Sequence, residues 1–164
     1  ELVKKYGVDA VRYYLLREIP PTDDGDFSYK KFEERYNADL ANGLGNFAAR
    51  VLTLAHNNIR TSDVLNIDSE VKNRILDIQK LVDQRLSEYK FHEALAAVWD
   101  LIAFGDSYTN DKKPWETNDA VVIGDLLLIL QAVAGLLRPF LPETAQKIEE
   151  NIRNHSKTNL FPRI

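Results

Sequence analysis

Residues 120–137 constrain this chain more than any other stretch. They carry a single charged side chain, Asp125, and Gln131 is the only other strongly polar one. A helix here is apolar nearly all round, so it must be enclosed by other protein or by lipid. Its length approaches that of a membrane span, but a carboxylate near mid-span costs about 2.5–3.5 kcal/mol on insertion scales. The rest of the chain supplies amphipathic segments that can surround it. A buried central helix within a helical bundle is therefore the expectation.

The flanking pattern is helical throughout. Residues 2–18 alternate apolar and charged positions at helical spacing, and Pro20-Pro21 would end that helix before a polar turn over Thr22 to Asp26. Ser28 is an N-cap for a long helix reaching about Asn57, with Leu40, Leu44, Phe47, Val51 and Leu54 as its core stripe. Thr61 to Asp68 reads as a loop, and Asp68 or Ser69 caps a helix over 70–88. A further helix runs from Phe91 to about Tyr108, followed by a polar loop from Thr109 to Asn118. Arg138-Pro139 stops the apolar helix, and Pro142 suits the first turn of a last helix to about Arg153. The predicted fold is all-α, an antiparallel bundle of four to five helices preceded by a short helical segment.

Composition removes several chemistries. The chain of 164 residues has no cysteine, which excludes disulfides, thiolate nucleophiles and cysteine-ligated zinc, and fits a cytosolic protein. It has no methionine, not even at position 1, so it is expected to begin inside a longer protein or to have had its start cut away. His56, His92 and His155 share no metal-ligand spacing, and Glu33-Glu34 and Asp23-Asp24 do not form facing carboxylate pairs. No phosphate loop, nucleophile elbow or zinc-protease motif occurs. No catalytic constellation and no metal site are predicted. The net charge of -4 argues against broad wrapping of a nucleic-acid backbone while leaving room for local readout of a few bases.

Three short stretches stand apart from the core pattern. Asn42, Asn46 and Arg50 are spaced by four, and at about 100° per residue they fall together, roughly 200° to 280° from Leu40. Asparagine costs about 0.5–0.7 kcal/mol relative to alanine inside a helix. A solvated helix face is one reading of the strip; a base-reading surface is the other. Gly43 and Gly45 weaken the same helix by about 1 kcal/mol each, which points to close approach of another backbone. Trp115 follows Pro114 in the polar loop, either packing back on the core or presenting its ring to a ligand. Amide and guanidinium groups beside a fixed indole can bond the edge of an unstacked base and stack on its face. Leu160 to Ile164 looks like a packing strap directed toward something outside this chain.

At these residues the sequence resembles the methionyl-tRNA synthetases, in their region after the catalytic domain. The stretch from Tyr6 to Arg17, Gly25-Asp26-Phe27-Ser28, the stretch from Arg35 to Asn42, and Leu160-Phe161-Pro162-Arg163-Ile164 carry the likeness. Leu136 to Pro142 is shared more loosely with related class I synthetases. The resemblance implies a helical bundle that binds the CAU anticodon of methionine tRNA. It implies that Asn46 and Arg50 contact the first anticodon base, with Asn42 one turn earlier, that Trp115 stacks on that base, and that Pro114 fixes the loop entering it. It also implies residues 1–27 as the end of a stem-contact region, 28–157 as the anticodon-binding bundle and 158–164 as the strap. The parent protein would be a cytoplasmic methionine–tRNA ligase using ATP, Mg2+ and a structural zinc, all held upstream. This segment would carry no cofactor and be inactive alone; its partners would be methionine tRNA and its own catalytic domain, with no membrane or DNA role. Two alternatives stay open: the corresponding domain of a synthetase for valine, isoleucine, leucine or cysteine, and a helical protein-interaction module without RNA.

Overall fold

Gly7 divides the first helical stretch in two. The computed structural model describes residues 1–19, 25–58, 67–154 and 156–164. It places α1 over Leu2–Tyr6 and α2 over Val8–Glu18, with Gly7 between them at φ 87°. That conformation is open to glycine and strained for other residues. The single helix expected over 2–18 is therefore two. Pro20-Pro21 and the start of the polar turn lie outside the described residues.

Ser28 caps α3 (Tyr29–Arg35) as its sequence position suggests, its Oγ accepting the Lys31 N–H at 3.2 Å. The helix continues without a break through Tyr36–Gly45 into α4 (Asn46–Asn58), but residues 36–45 are π-helical. In a π-helix the backbone bonds skip to the fifth residue, which widens the turn. Gly45 fits that geometry: a Cβ there would stand 3.0 Å from the Leu40 carbonyl oxygen and 4.0 Å from that of Phe161. The close approach expected at the glycines is thus partly the helix's own fifth-residue carbonyl and partly the C-terminal tail. At Gly43 the neighbours of such a Cβ are the Trp99 indole, at 3.4 Å and packed in turn on Tyr13 at 4.6 Å, and again the fifth-residue carbonyl, that of Ala38, at 3.5 Å.

Asp68 caps α5 (Ser69–Ser87) by accepting the Glu70 N–H at 2.8 Å. A tight turn leads into α6 (Phe91–Lys112), one full turn longer than expected, because the polar residues Thr109 to Lys112 stay helical. A short helix, α7 (Pro114–Thr117), precedes α8 (Ala120–Leu137), which Asp119 caps. The last helix, α9, covers Pro142–Asn154. Among the described residues there is no strand. The long helices pack as a bundle in which α8 touches α4, α5, α6 and α9, α5 lies along α6, and α2 lies on α6 and α9. The all-α bundle predicted from the sequence is the observed fold.

α8 is its central member. By length and composition it could cross a membrane, with mean hydropathy 2.3 over 18 residues, yet 56% of that stretch is buried against its neighbours. Leu126, Ile129, Leu130 and Val133 are fully enclosed, meeting Leu40, Leu44, Phe47 and Val51 from the first long helix and Leu95 and Leu101 from α6 in one core. Asp125 is equally enclosed, and its carboxylate is satisfied by the Tyr108 hydroxyl at 2.6 Å and the Asp68 N–H at 2.9 Å. Burial, and after it the hydrogen bond to Asp125, pushes the Tyr108 phenol up. The one charge in the apolar helix therefore ties the start of α5 and the end of α6 to the centre of the bundle. It is tolerated only because both oxygens are bonded.

Candidate functional site

The polar strip divides at the boundary between the π-helical segment and α4. Asn46 and Arg50 both lie in α4, one α-helical turn apart, so they stack along one face as their spacing predicts. Asn42 lies in the π-helical segment, where four residues fall short of a turn, so it is offset from the line of the other two. Asn42 and Asn46 are exposed, and neither side chain bonds a described residue. Arg50 is half-buried and held on both arms. Its Nη1 donates to Asp106 Oδ1 and its Nη2 to Asn110 Oδ1, each at 2.9 Å. Of the five N–H groups of a guanidinium, three remain without a described partner.

Asp106 and Asn110 are one turn apart on α6, just before the chain reaches Pro114-Trp115. Burial pushes the Asp106 carboxyl above its ordinary range, against the opposing pull of Arg50. Neither residue is named by the sequence: Asn110 falls in the stretch 109–118 expected to be loop, and Asp106, inside the expected helix, meets Arg50 only across 56 positions. Two acceptors at helical spacing just before Pro114-Trp115 were the available signal.

Pro114 is buried, and Trp115 beside it is 49% exposed, so the ring is not a core residue. Lys113 (φ 45°) and Asn118 (φ 52°) occupy the left-handed region on either side of α7. The Asn118 N–H closes onto the Pro114 carbonyl at 2.9 Å. A buried proline and a closed turn hold the indole near the surface. No ring contact or hydrogen bond joins Trp115 to Asn46 or Arg50; their connection runs through α6.

The tail differs from its expectation. Leu160 to Ile164 does not reach away from the chain but returns along the π-helical segment and α4. Phe161 is buried edge-on against the Tyr36 ring at 5.8 Å. Asn37 clamps the backbone of Ile164, donating to its carbonyl at 2.8 Å and accepting its N–H at 3.1 Å. A groove of about 390 Å³ opens between this tail and α4, with Asn46 on its wall. Of the histidines, His92 is half-buried, His155 lies outside the described residues, and no cluster of His, Asp and Glu suited to a metal occurs among the described residues.

Against known proteins, the family described as tRNA synthetases class I (M) matches residues 1–52. The methionine–tRNA ligase of Fusobacterium nucleatum is 37% identical over 163 residues, covering 92% of this chain and 26% of its own length. That of Methanopyrus kandleri is 33% identical over 162 residues, covering 93% of this chain and 24% of its own. This chain thus spans about a quarter of the length of these relatives. The crystal structure of free Mycobacterium tuberculosis methionyl-tRNA synthetase superposes with a TM-score of 0.84 at 27% identity, over 99% of this chain and 40% of that one. With methionyl-adenylate bound, the same enzyme gives 0.85 at 27% identity, over 98% and 39%. Over nearly its whole length, in sequence and in fold, this chain is a homologue of one segment of the methionyl-tRNA synthetases.

Proposed function

We propose that this chain is the anticodon-reading part of a methionine–tRNA ligase. The observation that carries the reading is the arrangement of Asn46, Arg50 and Trp115. Two polar side chains share an outward face of α4, and the guanidinium of one is held by the helix that delivers a half-exposed indole. In this reading Trp115 stacks on an everted cytosine of the CAU anticodon, contributing about 1–3 kcal/mol. Asn46 and Arg50 bond its Watson–Crick edge, and Asn42 borders the same surface. Asp106 and Asn110 fix Arg50 before the RNA arrives, so less side-chain entropy is lost on binding. A wrong base would leave buried donors and acceptors unpaired, which supplies discrimination.

The whole protein would join methionine to tRNA with consumption of ATP. ATP, Mg2+ and a structural zinc would be held upstream of this segment, which would not catalyse the reaction alone. Residues 1–27 would be the end of the stem-contact region that follows the catalytic domain, 28–157 would form the anticodon-binding unit and 158–164 the strap, in a cytoplasmic enzyme. The test separates reading from chemistry. In the full-length protein, Trp115→Ala should lower aminoacylation efficiency by about five- to 150-fold, the equivalent of the stacking energy. Adenylate formation from methionine and ATP should stay near normal. An equal fall in adenylate formation would make Trp115 a structural residue and end this reading.

A further inference from the structure

We propose that the groove between the C-terminal tail and α4 is a cradle for the phosphodiester backbone of a single-stranded RNA loop, with Lys157 and Arg163 as its cations. The proposal rests on the reading that Asn46 faces a base of that loop. Lys157, Asn159 and Arg163 line one side of the groove, and Gly45, Asn46 and Ala49 line the other. No carboxylate lines it. Four grooves of similar size elsewhere each present at least one: Glu149 between α8 and α9, Asp83 beside α5, Glu70 and Asp77 on α5, and Glu18 and Glu34 near α3. In a chain whose acids outnumber its bases 25 to 21, a purely cationic groove beside the polar strip is a local exception.

The cations are carried on an anchored tail. Asn151, buried in α9, accepts from the Ser156 hydroxyl at 2.9 Å and donates to the Thr158 hydroxyl at 2.7 Å. Phe161 and the Asn37 clamp on Ile164 fix the far end. Lys157 and Arg163 therefore flank the groove from a tail tied down on both sides, and neither has an ion-pair partner among the described residues. On the opposite wall Ala41, Gly45 and Ala49, beside Asn46 and Leu52, leave room for a backbone to lie close. Contacts of this kind position a strand and carry no sequence information. The work would then be divided: α4 and Trp115 read the base, and the tail holds the strand in register. It also explains how an acidic chain can bind RNA, with positive charge placed only where the strand runs.

Labelled anticodon stem-loops with CAU and UAU loops, titrated against the full-length protein between 50 and 200 mM salt, test this. Lys157→Gln with Arg163→Gln should weaken both loops equally, several-fold at 50 mM. The slope of log affinity against log salt should fall by about 1.4, roughly 0.7 for each single-strand phosphate that is no longer neutralised. Lys157→Arg with Arg163→Lys, which keeps both charges, should retain the slope. Lys72→Gln with Lys147→Gln, the same charge change outside the groove, should leave the slope near that of the unaltered protein. An unchanged slope in the first pair, or an equal fall in the control pair, overturns the cradle. Loss of slope without any preference for CAU in the unaltered protein would keep the cradle and refute base reading. Normal preference with an unchanged slope would do the reverse.

Discussion

Gly105 is the point where core packing and the site depend on one contact. It lies in α6, one residue before Asp106, and the fully buried Phe47 ring of α4 packs directly on it. A Cβ built on Gly105 would stand 2.5 Å from Phe47 Cζ, 2.6 Å from Cε2 and 3.3 Å from a methyl of Ile129. Two opposing effects act on Gly105→Ala. Alanine gains about 1 kcal/mol of helix propensity over glycine. Overpacking of an enclosed ring costs about 1–3 kcal/mol, and the upper half of that range applies because Phe47 has no exposed side to retreat toward. The net expectation is a loss of about 1–2 kcal/mol. In a chain of this size that lowers the melting temperature by roughly 3–6 °C. Thermal melts followed by circular dichroism on the 164-residue chain would show it. Phe47→Leu should recover part of the loss in the Gly105→Ala background while destabilising the original, a coupling expected only between residues in contact. The same substitution should loosen the Arg50–Asp106 pair, since it pushes α4 and α6 apart beside it. Gly135→Ala is the control: it is exposed on α8 with nothing within 4 Å of the added carbon, and should stabilise by about 1 kcal/mol. If Gly105→Ala also melts higher, the packing argument is wrong.

Two further outcomes follow from polar groups. Asp125→Ala strands the Tyr108 hydroxyl and the Asp68 N–H inside the bundle, and at about 1–3 kcal/mol for each unpaired group should cost roughly 2–6 kcal/mol in urea unfolding; a more stable variant would mean that the apolar helix merely tolerates its charge. Glu88 is pulled down to about 2, first by Lys90 and then by Gln84 and Arg85, so its contribution is present above the ordinary carboxylate range and is lost as pH falls toward 2. The urea midpoint of Glu88→Gln should therefore lie below that of the original at pH 7 and converge with it in acid, and a gap that widens in acid would contradict the assignment.

Elements whose signals are local were legible in the sequence. Ser28 and Asp68 cap helices because a side-chain acceptor near free N–H groups needs no distant partner. The apolar run 120–137 required enclosure wherever its neighbours lay. Gly7 was missed because the periodicity continues across it and only its backbone angle reveals the break. The π-helical segment was missed because Leu40 and Leu44 are buried with or without it, so the core stripe reads the same. Its effect falls on Asn42, displaced from the line that a uniform helix would give. At the site, Asn46 and Arg50 could be read because they share one helix. Asp106, Asn110 and the tail groove could not, since each depends on pairing across 50 or more positions. The tail was assigned the wrong partner for the same reason: nothing in Leu160 to Ile164 names Tyr36 and Asn37.

The central claim is that α4 and Trp115 read a cytosine. Its most direct test is a titration with CAU and UAU stem-loops at low salt, following tryptophan fluorescence, with Trp115→Phe removing the reporter and leaving Trp99 as background. Quenching by CAU and not by UAU, lost in Trp115→Phe, is the predicted result. Equal quenching by both loops, or a signal that survives the substitution, would contradict it.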